Sequence, residues 1–193
     1  PNESWFDING KVIYQINDKQ NLNFSFYVGR DSAMTVGLTE WGNRAALLRW
    51  ENRFATKWLS NTSLIYSRYY TANIAGIYHF HSGVSTQSFK QEFSYFPNPN
   101  NEVRFGLMSE YQDYNHGSLE DETQEDGGKF MPGMQGLESA FYIENDQKIN
   151  DRLSAYYGLR YSLYHQLGPG DRFTYDDITN EPIEAEFFPE KTD

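Results

Sequence analysis

Two histidines one residue apart, in YHFHSG (78–83), are the first side chains in this chain whose spacing suggests chemistry. On an extended chain His79 and His81 point the same way, and two imidazoles on one side of a strand can ligate a metal. A metal site needs a further ligand, and the sequence supplies none nearby. A solvated loop or a ligand contact is the simpler reading. A second concentration is LEDETQEDGG (119–128), which carries Glu120, Asp121, Glu122, Glu125 and Asp126. Such oxygens suit Ca²⁺, but the spacing is not that of an EF-hand loop, and a solvated surface loop fits such a run better. There is no glycine-rich phosphate loop, no H-E-x-x-H motif and no cysteine nucleophile. GPGD (168–171) reads as a turn. The expectation is a protein that is not an enzyme and that uses no cofactor and no metal.

The elements that must position these side chains alternate. Eight segments show a period-two pattern: WFDINGKVIYQI (5–16), NLNFSFYVGR (21–30), NRAALLRWENRF (43–54), WLSNTSLIYSRYY (58–70), QSFKQEFSYF (87–96), EVRFGLMSEYQDY (102–114), GLESAFYIEND (136–146) and a last run over 152–165. In that last run Leu153, Ala155, Tyr157, Leu159, Tyr161 and Leu163 fall on one side of an extended chain. Ser154, Tyr156, Gly158, Arg160, Ser162 and Tyr164 fall on the other. No helical pattern of comparable length is present. The fold class expected is all-β.

Composition narrows the surroundings of that sheet. The 193 residues carry a formal net charge of -11, which argues against nucleic acid as a partner. Aromatics reach 17% although hydrophobic residues are only 38%, so the chain is not of the acidic, disordered kind. Cysteine is absent, which excludes disulfides and thiolate metal sites. No run approaches the roughly 18 apolar residues of a membrane helix. Transmembrane strands need only about 10 residues and barely raise hydropathy.

The connections sharpen this. NDKQ (17–20), ATK (55–57), PNPNN (97–101) and QKIND (147–151) are short and rich in turn formers. Between them the pattern lapses over 31–42, 71–86, 115–135 and everything after Gln166, which reads as long loops. Short and long connections on opposite rims are the habit of an up-and-down outer-membrane barrel, whereas Greek-key sandwiches mix them. Charge is one-sided too. Arg49, Glu51, Arg53, Arg104, Glu110, Glu144 and Arg160 share the polar faces, and the apolar faces are almost free of charge. On a lipid face an Arg or Lys at mid-depth costs roughly 2–4 kcal/mol. Aromatics gather at strand ends (Trp5 with Phe6, Trp58, Tyr69 with Tyr70, Tyr95 with Phe96, Tyr111 with Tyr114), as interfacial girdles do.

The reading is therefore a transmembrane antiparallel up-and-down barrel segment facing outer-membrane lipid, its charged side turned to a lumen. The chain opens directly on a strand and ends in a loop-like tail without a closing aromatic strand. It is expected to be eight consecutive strands of a larger barrel, because two open edges in lipid are untenable. On such a wall the candidate substrate contacts are outer-loop residues: Arg30, Trp41, Tyr70, Tyr78, His79, His81, Tyr114 and His116.

The stretch YIENDQKINDRLSAYYGLRYSLYH (142–165) resembles a hairpin of TonB-dependent outer-membrane receptors. It matches variants of Y-x-x-D-x-W-K-I-x-D-x-L-x-x-x-x-G-L-R-Y through Tyr142, Asp146, Lys148, Ile149, Asp151, Leu153, Gly158, Leu159, Arg160 and Tyr161, with Gln147 where that family often has Trp. LSNTSLIYSRY (59–69) and FSYFPNPNNEVRFGLMSEYQDY (93–114) also look like hairpins of these receptors, particularly those of Bacteroidetes-type bacteria. The likeness covers most of residues 1–165. It implies a 22-stranded barrel, plugged by an N-terminal domain outside this chain and energised by a TonB complex. Such a receptor takes up a scarce nutrient, small or oligomeric: an iron chelate, a cobalamin or a glycan. A surface lipoprotein subunit is a further partner in keeping with the resemblance. Two other readings stay open on the sequence: a small structural or adhesive barrel that is not energised, and a soluble β-domain that binds glycans through aromatic loops.

Overall fold

A computed structural model describes residues 3–34, 37–76, 78–121, 129–130, 133–168, 170–175 and 182–188. The strands are β1 (Glu3–Asn17), β2 (Gln20–Met34), β3 (Leu38–Ala55), β4 (Trp58–Ala75), β5 (Tyr78–Asn98), β6 (Asn101–Asp121), β7 (Lys129–Phe130), β8 (Met134–Asn150), β9 (Leu153–Gln166), β10 (Gly170–Tyr175) and β11 (Pro182–Phe188). Eight of them form one antiparallel up-and-down sheet in the order β1-β2-β3-β4-β5-β6-β8-β9. The short β7 pairs with β6, and β10 with β11 makes a separate two-stranded sheet. The large sheet is not closed: β1 and β9 are its edges. No helix among the described residues is long and apolar enough to cross a membrane, a statement that leaves strands untouched.

At one end the strands are joined by tight turns, and the sequence explains three of them in the same way. Asn17, Asn98 and Asn150 each accept, through Oδ1, the backbone N–H two residues on, from Lys19 (2.9 Å), Asn100 (3.0 Å) and Arg152 (2.9 Å). An asparagine amide that mimics a backbone turn in this way releases the chain from the ladder and reverses it. The turns are also tied to neighbouring strands. The carbonyls of Lys19, Lys57 and Asn100 accept N–H bonds from Arg53, Phe96 and Lys148 at 2.8–2.9 Å.

All eight expected strands are present, and most are longer than their alternating patterns. The expected long loops at 31–42 and 71–86 are corrected here. Strands β2 and β3 are separated only by residues 35–37, and β4 and β5 only by 76–77. Much of 115–135 is also strand, with β6 running to Asp121; residues 122–128 and 131–132 lie outside the described residues. Alternation marks a strand whose two faces meet different surroundings. Beyond about residue 30 in β2 and residue 70 in β4 small, polar and apolar residues succeed one another (Asp31, Ser32, Ala33 and Met34; Thr71, Ala72, Asn73 and Ile74), so the contrast between faces weakens while the hydrogen-bonded ladder continues. The loop-like tail is corrected as well, since 170–175 and 182–188 pair as a hairpin.

The unbroken register divides the sheet into two faces. On one, Leu22, Phe24, Phe26 and Val28 of β2 lie opposite Trp50, Leu48, Ala46 and Arg44 of β3. That face continues through Leu64 and Tyr66, Phe89 and Phe93, Phe105 and Leu107, Phe141 and Ile143, to Leu159 and Tyr161. From the turns up to the row Ala46–Tyr66–Gln87–Tyr111–Leu137 it holds no charged side chain. Some of its polar groups bond to one another: Thr62 Oγ1 to Gln91 Oε1 (2.7 Å), Trp50 Nε1 to Gln20 Oε1 (3.3 Å) and Asn145 Nδ2 to Tyr157 Oη (2.8 Å). Near the turns it carries an aromatic cluster. Trp58 stacks on Tyr95 with centroids 4.5 Å apart, Phe93 stacks on Phe105 at 5.5 Å, and Phe54 packs against both Trp58 and Phe93.

No second layer covers this belt among the described residues. Ala72 and Ala140 are the only apolar side chains buried there, while Phe141 is 58% exposed and Leu159 79%. The accessible surface is 14,090 Å², against about 9,500 Å² expected for a compact chain of 22.5 kDa. A one-sided apolar sheet requires a partner layer, and the described residues do not provide it.

Candidate functional site

The opposite face carries the charge, and β5, β6, β8 and β9 weave it into a network. Arg104 and Glu144 are direct cross-strand partners with Nε and Oε1 2.9 Å apart. Lys90 pairs with Glu92 at 2.8 Å, and Arg160 with Glu138 at 3.4 Å. Tyrosines fill the spaces between the pairs. The Tyr142 hydroxyl donates to Glu92 (2.6 Å), Tyr156 donates to Glu144, and the Tyr142 ring lies 5.4 Å under the Lys90 ammonium. Further up, Ser88 donates to Glu110 (2.7 Å) and Gln112 bonds the same carboxylate (2.5 Å).

A glycine makes the Tyr142 contact possible. Gly106 of β6 stands directly between Glu92 of β5 and Tyr142 of β8. A Cβ at position 106 would meet the Tyr142 hydroxyl at 2.9 Å. With no side chain there, the tyrosine reaches over β6 to the glutamate on the next strand. The network borders a groove of about 570 Å³ between Lys90, Glu92, Arg104, Tyr142 and Tyr156. It offers paired charges and tyrosine hydroxyls, which hold water or a polar solute by hydrogen bonds. The pairs are half-buried, with Glu92 and Glu144 side chains 18% and 23% exposed.

The structure does not gather the sequence-derived contact residues into one site. All eight, thought to stand in loops, lie in strands: Arg30 in β2, Trp41 in β3, Tyr70 in β4, Tyr78, His79 and His81 in β5, and Tyr114 and His116 in β6. His116, also in β6, sits at a bulge where His116 and Gly117 stand against the single Ser82. Gly117 takes a φ of 139° there and bonds the Asn115 side chain at 3.1 Å, a backbone region that favours glycine. The register separates the rest. Arg30, Tyr70, His79 and His81 continue the belt face above its last apolar row, whereas Trp41, Tyr78 and Tyr114 belong to the opposite face. His79 and His81 do share a side, as their spacing requires. Among the described residues no group of three or more His, Asp or Glu side chains is placed to hold a metal. The acidic run from Glu122 to Asp126 lies outside the described residues.

Sequence reasoning placed Arg104, Glu144 and Arg160 on a charged face but did not single them out as a site. Nor did it join Lys90, Glu92 and Tyr142, which it placed only on the polar faces of their strands, into a network. The signal was present in the K-x-E of Lys90–Glu92 and the E-x-R of Glu102–Arg104, opposite charges two apart on one face. What the sequence withheld was the register that sets Gly106 between Glu92 and Tyr142. Compared with models of known protein families, with curated proteins and with solved structures, the chain matches none.

Proposed function

We propose that this chain is wall of a transmembrane outer-membrane β-barrel, and that the barrel is a TonB-dependent receptor importing a scarce, bulky nutrient such as an iron chelate, a cobalamin or a glycan. The observation that carries the membrane reading is the uncovered apolar belt. From Trp58 to Tyr66 it is nine residues tall on β4. Nine residues run about 30 Å along a strand, and at a tilt of roughly 40° they stand about 23 Å high, close to the ~25 Å apolar band of such barrels. The belt excludes charge and ends in aromatics, as a lipid face must.

On this reading the charged face lines a lumen, and further strands continue the sheet at β1 and β9, since an open edge cannot stand in hydrocarbon. The receptor assignment rests on the resemblance of the 142–161 hairpin and its neighbours. A plug domain would couple the barrel to the TonB complex, and a surface lipoprotein would act at the upper rim. Deleting the gene and measuring accumulation of labelled iron chelates, cobalamin and oligosaccharides, with and without an uncoupler, tests the transport reading. Loss of one solute's uptake, as complete as the uncoupler's effect on the parent strain, is expected. Undiminished uptake of all three classes would sink it.

A further inference from the structure

We propose that Arg44 and Arg68 clamp the phosphate of a lipid headgroup at the upper edge of the belt, an inference that rests on the lipid-facing reading above. The two arginines are direct cross-strand partners on β3 and β4, on the belt face, one step above the Ala46–Tyr66 pair. Side chains so placed start only about 5 Å apart, and like charges there repel. Three other arginines of the sheet meet glutamates, Arg30 with Glu40, Arg104 with Glu144 and Arg160 with Glu138, and Arg49 donates to the Ser63 hydroxyl at 3.3 Å. Among the described residues Arg44 and Arg68 have no carboxylate within ion-pair distance. The nearest acids on that face are otherwise placed. Glu40 holds Arg30 and accepts the Tyr70 hydroxyl at 2.9 Å. Asp113 lies two strands from Arg68, across Ser85.

Two unneutralised guanidinium groups side by side are costly unless an anion joins them. Their forks suit phosphate oxygens, which accept paired N–H bonds. Height selects the source of that phosphate. Below the pair lies the charge-free belt; beside it a polar depression of about 480 Å³ reaches from Arg68 past Tyr70 and Ser85 to Asp113. That is the level at which acyl chains give way to headgroups. A monoester headgroup carries the most charge to offer, so the clamp should favour it over a zwitterionic one.

The experiment places the full-length protein, extracted from its own membrane, in phosphatidylcholine nanodiscs and reads energy transfer from tryptophan to dansyl-labelled lipid. Transfer to dansyl-phosphatidic acid should exceed that to dansyl-phosphatidylcholine, with a preference of roughly tenfold, equivalent to about one charge-assisted contact. The R44Q/R68Q variant should lose this preference while keeping transfer to phosphatidylcholine. The R44K/R68K variant should keep part of it, which also guards against misfolding of the neutral variant. Equal transfer to both lipids in the unaltered protein overturns the clamp and leaves the membrane reading standing. Transfer to neither overturns the membrane reading itself. A preference abolished by excess inorganic phosphate would assign the clamp to free phosphate and overturn the lipid source.

Discussion

The lower and upper halves of the same strands make an instructive pair. Both are antiparallel ladders with unbroken register over most of their length, as β4 and β5 show from Trp58–Tyr95 to Ala75–Tyr78. In the lower half one face is apolar and free of charge while the other holds the ionic network. In the upper half the belt face itself carries Arg30, Glu40, Arg44 and Arg68. The backbone does not change; on the proposed reading the medium on one side does. A β-sheet can continue through two environments because its own hydrogen bonds satisfy the main chain in either.

Substitutions that ignore this boundary should break the comparison most severely. Leu107→Arg, at mid-height of the belt on β6, should cost roughly 2–4 kcal/mol. Met34→Arg, above the belt on the same face, should stay within about 0.5 kcal/mol. Urea titration of both variants assembled in vesicles checks this, and equal penalties would erase the boundary. Next in size, Gly106→Val drives a Cβ into the Gln91 carbonyl and pushes the Tyr142 hydroxyl off Glu92, and should cost about 1–3 kcal/mol, as overpacking does; unchanged stability would mean that strand and ring both give way freely. Tyr142→Phe removes only the hydroxyl and should cost about 1 kcal/mol, measured in the same titration. At the turns, breaking the exposed Lys148–Asp151 pair (2.8 Å) should cost under about 0.5 kcal/mol and less in high salt.

The same boundary explains how much was legible beforehand. Period-two patterns located all eight strands because in its lower half each carries apolar residues on one face and polar ones on the other. Those patterns weaken near Arg30 and Tyr70, where small and polar residues enter both faces, so 31–42 and 71–86 were read as loops although β2, β3, β4 and β5 run through most of them. Of the candidate contacts, the shared side of His79 and His81 follows from spacing alone. That Arg30 and Tyr70 lie on one face and Trp41 and Tyr114 on the other required the register. The ladder across Glu92, Gly106 and Tyr142 joins residues 50 apart in sequence, and no local pattern encodes that distance.

On the proposed reading alternate residues of β3 face hydrocarbon and lumen. Trp50 lies on the belt and Arg49 on the opposite face, one peptide bond apart. Two single-tryptophan proteins test this directly in vesicles: one keeping only Trp50, the other with Arg49→Trp and no other tryptophan. Quenching is read with brominated lipid chains and with aqueous acrylamide. Trp50 should be quenched by the lipid and shielded from acrylamide, and the tryptophan at position 49 should behave oppositely. Trp50 untouched by brominated lipid, or both positions quenched alike by acrylamide, would contradict it.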